Sequence, residues 1–320
     1  MYIELAFKSL HDLWRYLVGV LLIFIAWQII GGVPLIGALV VKMVETGEFP
    51  REVSQMIEIL GSNLFLFLML LSFVIGLFGL FIVVKILHKQ TILKLTTSRK
   101  KIDWKRVWFA FIFWGIISSG MVLGDYYFNP ESYVNNFNLQ PFLILCVIAI
   151  LLVPLQTSFE EYLFRGYLMQ GIGILAKNKW LPLIITSSIF GLMHIANPEI
   201  EKLGYIIMVY YIGTGFFLGI TTLMDEGLEL SLGFHAANNL FIILLVTADW
   251  TAFQTHSILK DNSDPSDIGF MEIFFPVFVL FPILLLVFSK KYNWTNWKDK
   301  LFGAVVKPVE ELDKQGEILE

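Results

Sequence analysis

The sequence predicts an all-α, polytopic membrane bundle of about eight transmembrane helices, with both termini in the cytoplasm. Three observations carry this expectation. First, 57% of the 320 residues are hydrophobic and only 16% are charged. A soluble globular chain has about 45–50% apolar and about 25% charged residues. Second, the apolar residues form continuous runs rather than alternating ones, which suits helices in lipid and not strands. Third, the basic residues are unevenly divided among the loops.

Eight runs approach the roughly 20 residues that a helix needs to cross a bilayer. They cover 16–41, 64–86, 107–124, 141–158, 181–197, 204–223, 232–248 and 269–289. The first is kept as a span because its apolar stretch continues past Trp27 and Ile30 with no small-residue cleavage pattern. With the N-terminus inside, 19 of the 23 Lys and Arg residues face the cytoplasm, including the loop 85–106; Lys42, Arg51, Lys202 and Lys260 fall outside. Trp14, Trp104, Trp108, Trp180, Trp250 and Trp294 stand near span ends, where an aromatic belt belongs. The polar tail from about Asn293 reads as a solvated helix or loose end. A net charge of −4 argues against a nucleic-acid partner, and the single Cys146 excludes a disulfide scaffold.

Ionisable groups inside spans are costly, so each needs a reason. Glu160-Glu161-x-x-x-Arg165 ends the fourth apolar run. Glu161 and Arg165 are i and i+4 on a helix and can pair, whereas Glu160 lies about 100° away and stays free as an acid or base. Phe190-x-x-x-His194 falls deep in the fifth span, and His235-x-x-x-Asn239 opens the seventh, with both polar groups on one face. Each motif alone is also what a helix end, a packing histidine or a polar cap leaves behind. Asn238 reads as such a cap. Together, Glu160, His194, His235 and Asn239 make a plausible hydrolytic set. A carboxylate takes a proton from water, an imidazole orients that water, and His and Asn donate to an oxyanion. Serine and aspartyl intramembrane chemistries fit less well. There is no Gly-x-Ser-x-Gly elbow, and no Gly-x-Gly-Asp stands near Asp125. Gly215-x-x-x-Gly219 reads as a close helix contact.

These three motifs, in this order, resemble the CPBP family. It comprises the type II CAAX prenyl proteases and the bacteriocin-processing or immunity proteins, also called the Abi family. The resemblance covers about residues 141–248 and implies an intramembrane endopeptidase. Glu160 and His194 would activate the water, and His235 and Asn239 would stabilise the oxyanion. Glu161, Arg165 and Phe190 would support the site. The implied division of the chain is 1–140 (three spans and the basic loop 85–106), 141–248 (the catalytic core) and 249–320 (the last span and the tail). No cofactor is expected. The alternative is zinc held by Glu160, His194 and His235, against which stands the lack of His-Glu-x-x-His and the need for Glu160 as a base. The expected partners are the lipid bilayer and a membrane-anchored or lipidated peptide, in the cell membrane if the source is bacterial. Two other functions compete: a non-catalytic immunity or scaffold protein on the same fold, and a transporter, whose paired repeats are not found.

Overall fold

Every expected span forms a helix. The computed structural model describes residues 1–308, and helices dominate it. Among the described residues, six helices are long and apolar enough to cross a membrane: α1 (Leu13–Thr46), α2 (Ser62–Ile86), α3 (Trp104–Phe128), α4 (Leu139–Ala176), α6 (Pro198–Asp225) and α8 (Phe270–Tyr292). Two shorter apolar helices complete the set, α5 (Trp180–Leu192) and α7 (Glu229–Leu245). The chain is a multi-pass integral membrane protein.

The shorter helices differ from expectation in ways that matter for the site. Helix α5 stops at Leu192, so His194 stands in the turn that follows rather than deep in a span. Helix α7 begins at Glu229, three residues before the expected start at 232, which carries His235 two turns inside the helix. Helix α4 runs well past the expected end at 158, to Ala176. Pro154 sits within it, where the hydroxyls of Thr157 and Ser158 donate to the carbonyls of Val153 and Pro154 at 3.1 and 2.5 Å.

Helices α5 and α6 approach closely at Gly215. A Cβ there would stand 2.6 Å from the carbonyl oxygen of Ser187. Gly219, one turn on, faces Leu183. The Gly-x-x-x-Gly spacing therefore serves packing, and it brings the Gly215 carbonyl into the bundle interior.

The tail expected to be loose and the basic loop are both built into the fold. Residues 293–305 are not a free tail. Trp294, Leu301 and Val305 are buried, and Trp294 Nε1 donates to Asp225 Oδ1 at 3.0 Å. Trp294 therefore lies outside any lipid-facing belt, whereas Trp14, Trp104, Trp108 and Trp180 are exposed as a belt requires. Within the basic loop, Arg99 pairs with Asp225 at 3.0 Å and Glu229 at 3.1 Å, and Arg106 pairs with Asp225. This network clamps the loop to the adjoining ends of α6 and α7. The N-terminal segment also packs inward, with Tyr2, Ile3 and Ala6 buried and the Tyr2 hydroxyl donating to Leu95 O at 2.5 Å. A small sheet at the opposite end joins β1 (Tyr133–Asn135), β2 (Val246–Thr247) and β3 (Leu259–Asp261) in the order β1-β3-β2. It was not anticipated, because its strands are two or three residues long. Residues 309–320, including the acidic stretch around Glu310 and Glu311, lie outside the described residues.

The Gly215 contact yields a prediction. Replacing Gly215 by Leu drives a side chain into the Ser187 backbone, and overpacking of this kind costs about 1–3 kcal/mol. Thermal unfolding of the purified protein in detergent should show a lower midpoint for Gly215→Leu than for wild type.

Candidate active site

The polar centre of the bundle is built around the end of the regular part of α4. The backbone is α-helical to Glu161 and π-helical from Tyr162 to Leu168. Such widened turns are frequent at functional sites. Neighbouring residues on a helix point about 100° apart, and the two glutamates divide accordingly. The Glu161 side chain is fully buried among the helices, while that of Glu160 is 13% exposed and faces a cavity.

Glu161 and Arg165 pair as their spacing predicts. Arg165 Nη1 donates to Glu161 Oε1 at 3.1 Å, and both side chains are 0% exposed. Arg165 Nη2 donates to the Gly215 carbonyl at 3.1 Å, and the guanidinium lies 4.2 Å from the centre of the Phe190 ring. Cation–π contact of this kind stabilises a desolvated arginine. Glu161 has a further partner that sequence spacing did not reveal. Its Oε1 also accepts from His235 Nδ1 at 2.8 Å. A carboxylate paired to arginine can only accept, so Nδ1 carries the proton and Nε2 is turned toward Glu160. The distance from His235 Nε2 to Glu160 Oε2 is 3.6 Å.

His194 is oriented from the α5 turn. Its Nδ1 donates to the Phe190 carbonyl at 2.8 Å, and its ring stacks on Tyr211 with centroids 4.4 Å apart. The carbonyl only accepts, so His194 Nε2 presents a free lone pair. Phe190 thus touches three members of the group: the Arg165 guanidinium, the backbone-bonded His194, and His235, whose ring centre is 5.8 Å away.

Glu160, His194, His235 and Asn239 all line one half-open cavity of about 290 Å³. His235 is the imidazole nearest Glu160. His194 shares the cavity without entering that contact. The zinc alternative would need Glu160, His194 and His235 as converging ligands. Among the described residues, no three His, Cys, Asp or Glu side chains are grouped in a way that could hold a metal ion.

A chain of amides that sequence reasoning missed runs along the cavity wall. Trp114 Nε1 donates to Asn238 Oδ1 at 3.1 Å, and Asn238 Nδ2 donates to Asn239 Oδ1 at 3.2 Å. Asn239 Nδ2 then donates to Gln156 Oε1 at 3.1 Å, and Gln156 Nε2 donates to Glu160 Oε1 at 2.6 Å. Every bond points the same way, ending on the carboxylate. Asn238 is therefore more than the cap it was expected to be. Gln156 stands four residues before Glu160, a spacing that could have signalled it.

The multi-pass helical bundle thus gathers a carboxylate, two oriented imidazoles and an amide around one internal cavity, an arrangement compatible with the CAAX-protease class. Comparison with known proteins agrees. Residues 138–241 match the family described as type II CAAX prenyl endopeptidase Rce1-like. The chain is also 30% identical over 239 residues to the uncharacterized protein YyaK of Bacillus subtilis (strain 168), across 74% of this chain and 79% of that relative. This chain belongs to the Rce1-like family. No solved structure matches it.

Two predictions follow from the contacts. Arg165→Ala leaves Glu161 as a buried, unpaired charge, a loss worth about 3–5 kcal/mol. Its yield and melting temperature in detergent should fall well below those of wild type. Gln156→Leu removes a buried neutral side chain that donates to Glu160 and accepts from Asn239, so its melting temperature should fall by less than that of Arg165→Ala. Peptide cleavage by this variant should nevertheless drop, by about tenfold for a lost bond to a charged group of about 1.5 kcal/mol.

Proposed function

We propose that this protein is a glutamate-dependent intramembrane endopeptidase that hydrolyses a peptide bond of a membrane-anchored or lipidated substrate without a metal ion. The observation that carries this reading is the placement of the Glu160 carboxylate and the His194 and His235 rings around a single cavity, with the two imidazoles oriented by other groups.

In the proposed reaction, a water between Glu160 and His194 Nε2 is held by both. Glu160 takes its proton, and the resulting hydroxide attacks the scissile carbonyl. Oxyanion donors sit on the α7 face. The Asn239 amide has one N–H committed to Gln156 and a second one free. His235 Nε2 lies 3.6 Å from Glu160 Oε2, so the proton taken from water can pass to the ring. The ring then donates to the oxyanion, and on collapse of the intermediate the proton goes to the leaving amine. Glu161 serves two roles: it is the counter-charge of Arg165 and it holds the His235 tautomer. On the charge bias of the loops, both termini face the cytoplasm.

The test is cleavage of membrane-inserted peptides by the purified, reconstituted protein. Glu160→Gln keeps the side-chain volume but cannot accept the proton, so it should fold with a normal melting temperature and have no measurable turnover. His235→Ala and Asn239→Ala should each cost about 10²–10³ in turnover, as loss of an oxyanion donor does. Chelators should leave activity intact. Full activity in Glu160→Gln would remove it as the base, and stoichiometric zinc whose loss and return switch activity would overturn the metal-free route. If wild type cleaves nothing, the non-catalytic membrane scaffold becomes the better reading.

A further inference from the structure

The cavity holds a second carboxylate that the proposed chemistry does not use. Glu199 lies in the first turn of α6, just past the turn that carries His194, and its side chain lines the same cavity. One of its oxygens is engaged: Glu199 Oε1 accepts from the backbone N–H of Ala252 at 2.9 Å. The other oxygen, Oε2, is buried and has no hydrogen-bond partner. A buried carboxylate oxygen without a donor is costly, so it calls for a partner that arrives from outside the chain.

The rest of the lining says what that partner is. Among the described residues, the cavity wall contains two carboxylates, Glu160 and Glu199, and neither a lysine nor an arginine. No fixed positive charge there compensates an acidic substrate group or a free C-terminal carboxylate. Two aromatic rings share the lining with Glu199: Tyr211, stacked on one face by His194 and accepting at its hydroxyl from Asn197 at 3.4 Å, and Tyr210, packed edge-on to Tyr211 with centroids 5.9 Å apart. Aromatic faces next to a carboxylate suit a cationic side chain, whose stem packs on the rings while its head meets the charge.

Resting on the endopeptidase reading above, we propose that Glu199 is a specificity determinant that takes a lysine or arginine side chain of the substrate beside the scissile bond. The contact with Ala252 does not account for the whole residue, because it uses Oε1 alone. Selectivity arises from both directions: a basic residue satisfies Oε2, and an acidic one meets two like charges in a confined space.

The test compares reconstituted full-length protein acting on membrane-inserted peptides that differ at one position (Lys, Arg, Leu or Glu), moved in turn across the residues flanking the cut. Wild type should favour Lys and Arg over Leu by about tenfold or more in kcat/KM, mainly through KM, and should disfavour Glu; tenfold corresponds to about 1.4 kcal/mol. Glu199→Gln keeps a carbonyl oxygen for the Ala252 bond and loses only the charge. It should level the preference while keeping the turnover of the Leu peptide. Glu199→Lys should move the preference toward Glu. Binding of the same fluorescent peptides to Glu160→Gln and to Glu160→Gln/Glu199→Gln separates this inference from the catalytic one. Charge-selective binding that disappears with Glu199 supports the subsite even if no peptide is cut. Equal binding and equal cleavage of Lys, Leu and Glu peptides by protein with Glu199 intact overturns it, as does an unchanged preference in Glu199→Gln.

Discussion

Four helices of this protein meet on one buried guanidinium. Arg165 rises from α4, its charge is balanced by Glu161 on the same helix, and its second amino group takes a carbonyl from α6. Phe190 of α5 covers its face, and α7 joins through the His235 bond to Glu161. Burying an ion pair is expensive, and an apolar substitute of equal volume is often as stable or more so. Here the pair is not even fully satisfied, since Glu161 Oε2 and Arg165 Nε lack partners. Its value therefore lies in position rather than stability. It sets where α4, α5, α6 and α7 stand relative to one another, and so where the cavity and its histidines are.

From that anchor the two adjacent glutamates acquire different lives. Glu161 is turned inward, charged against arginine and locked to an imidazole. Glu160, one residue earlier and about 100° around the helix, is turned to the cavity and held from one side by Gln156. The amide chain reaching back to Trp114 ties the proposed base on α4 to the proposed oxyanion donor Asn239 on α7. A disturbance on either helix is thereby felt by the other, which is how a site built on separate helices keeps its geometry.

Much of the architecture was legible in the sequence because membrane spans obey a one-dimensional rule. Lipid requires long apolar helices, and their lengths can be counted directly. The pairing of Glu161 with Arg165 and the close contact at Gly215 were legible for the same reason, as both depend on spacing along one helix. The end of α5 was harder to read. Met193 to Ala196 are apolar or weakly polar apart from His194, so composition could not show that the helix stops at Leu192 and that His194 is held by a turn. The packed segment 293–305 was likewise hidden, since Trp294 reads as a belt residue and the loop arginines as cytoplasmic charge until Asp225 is placed between them.

The sequence by itself determined the class of protein: a multi-spanning helical bundle with three polar motifs, in the order of the Rce1-like family. Local spacing sufficed for that, because helix periodicity and hydropathy act over neighbouring residues. Only the tertiary structure decided which groups meet. The bond from His235 to Glu161 spans 74 residues of sequence, and that from Asn239 to Gln156 spans 83. Glu199 joins the cavity only because a loop 53 residues further on, at Ala252, holds it there. Contacts of this kind follow from the packing of helices around a buried charge, and no pattern within a single helix encodes them.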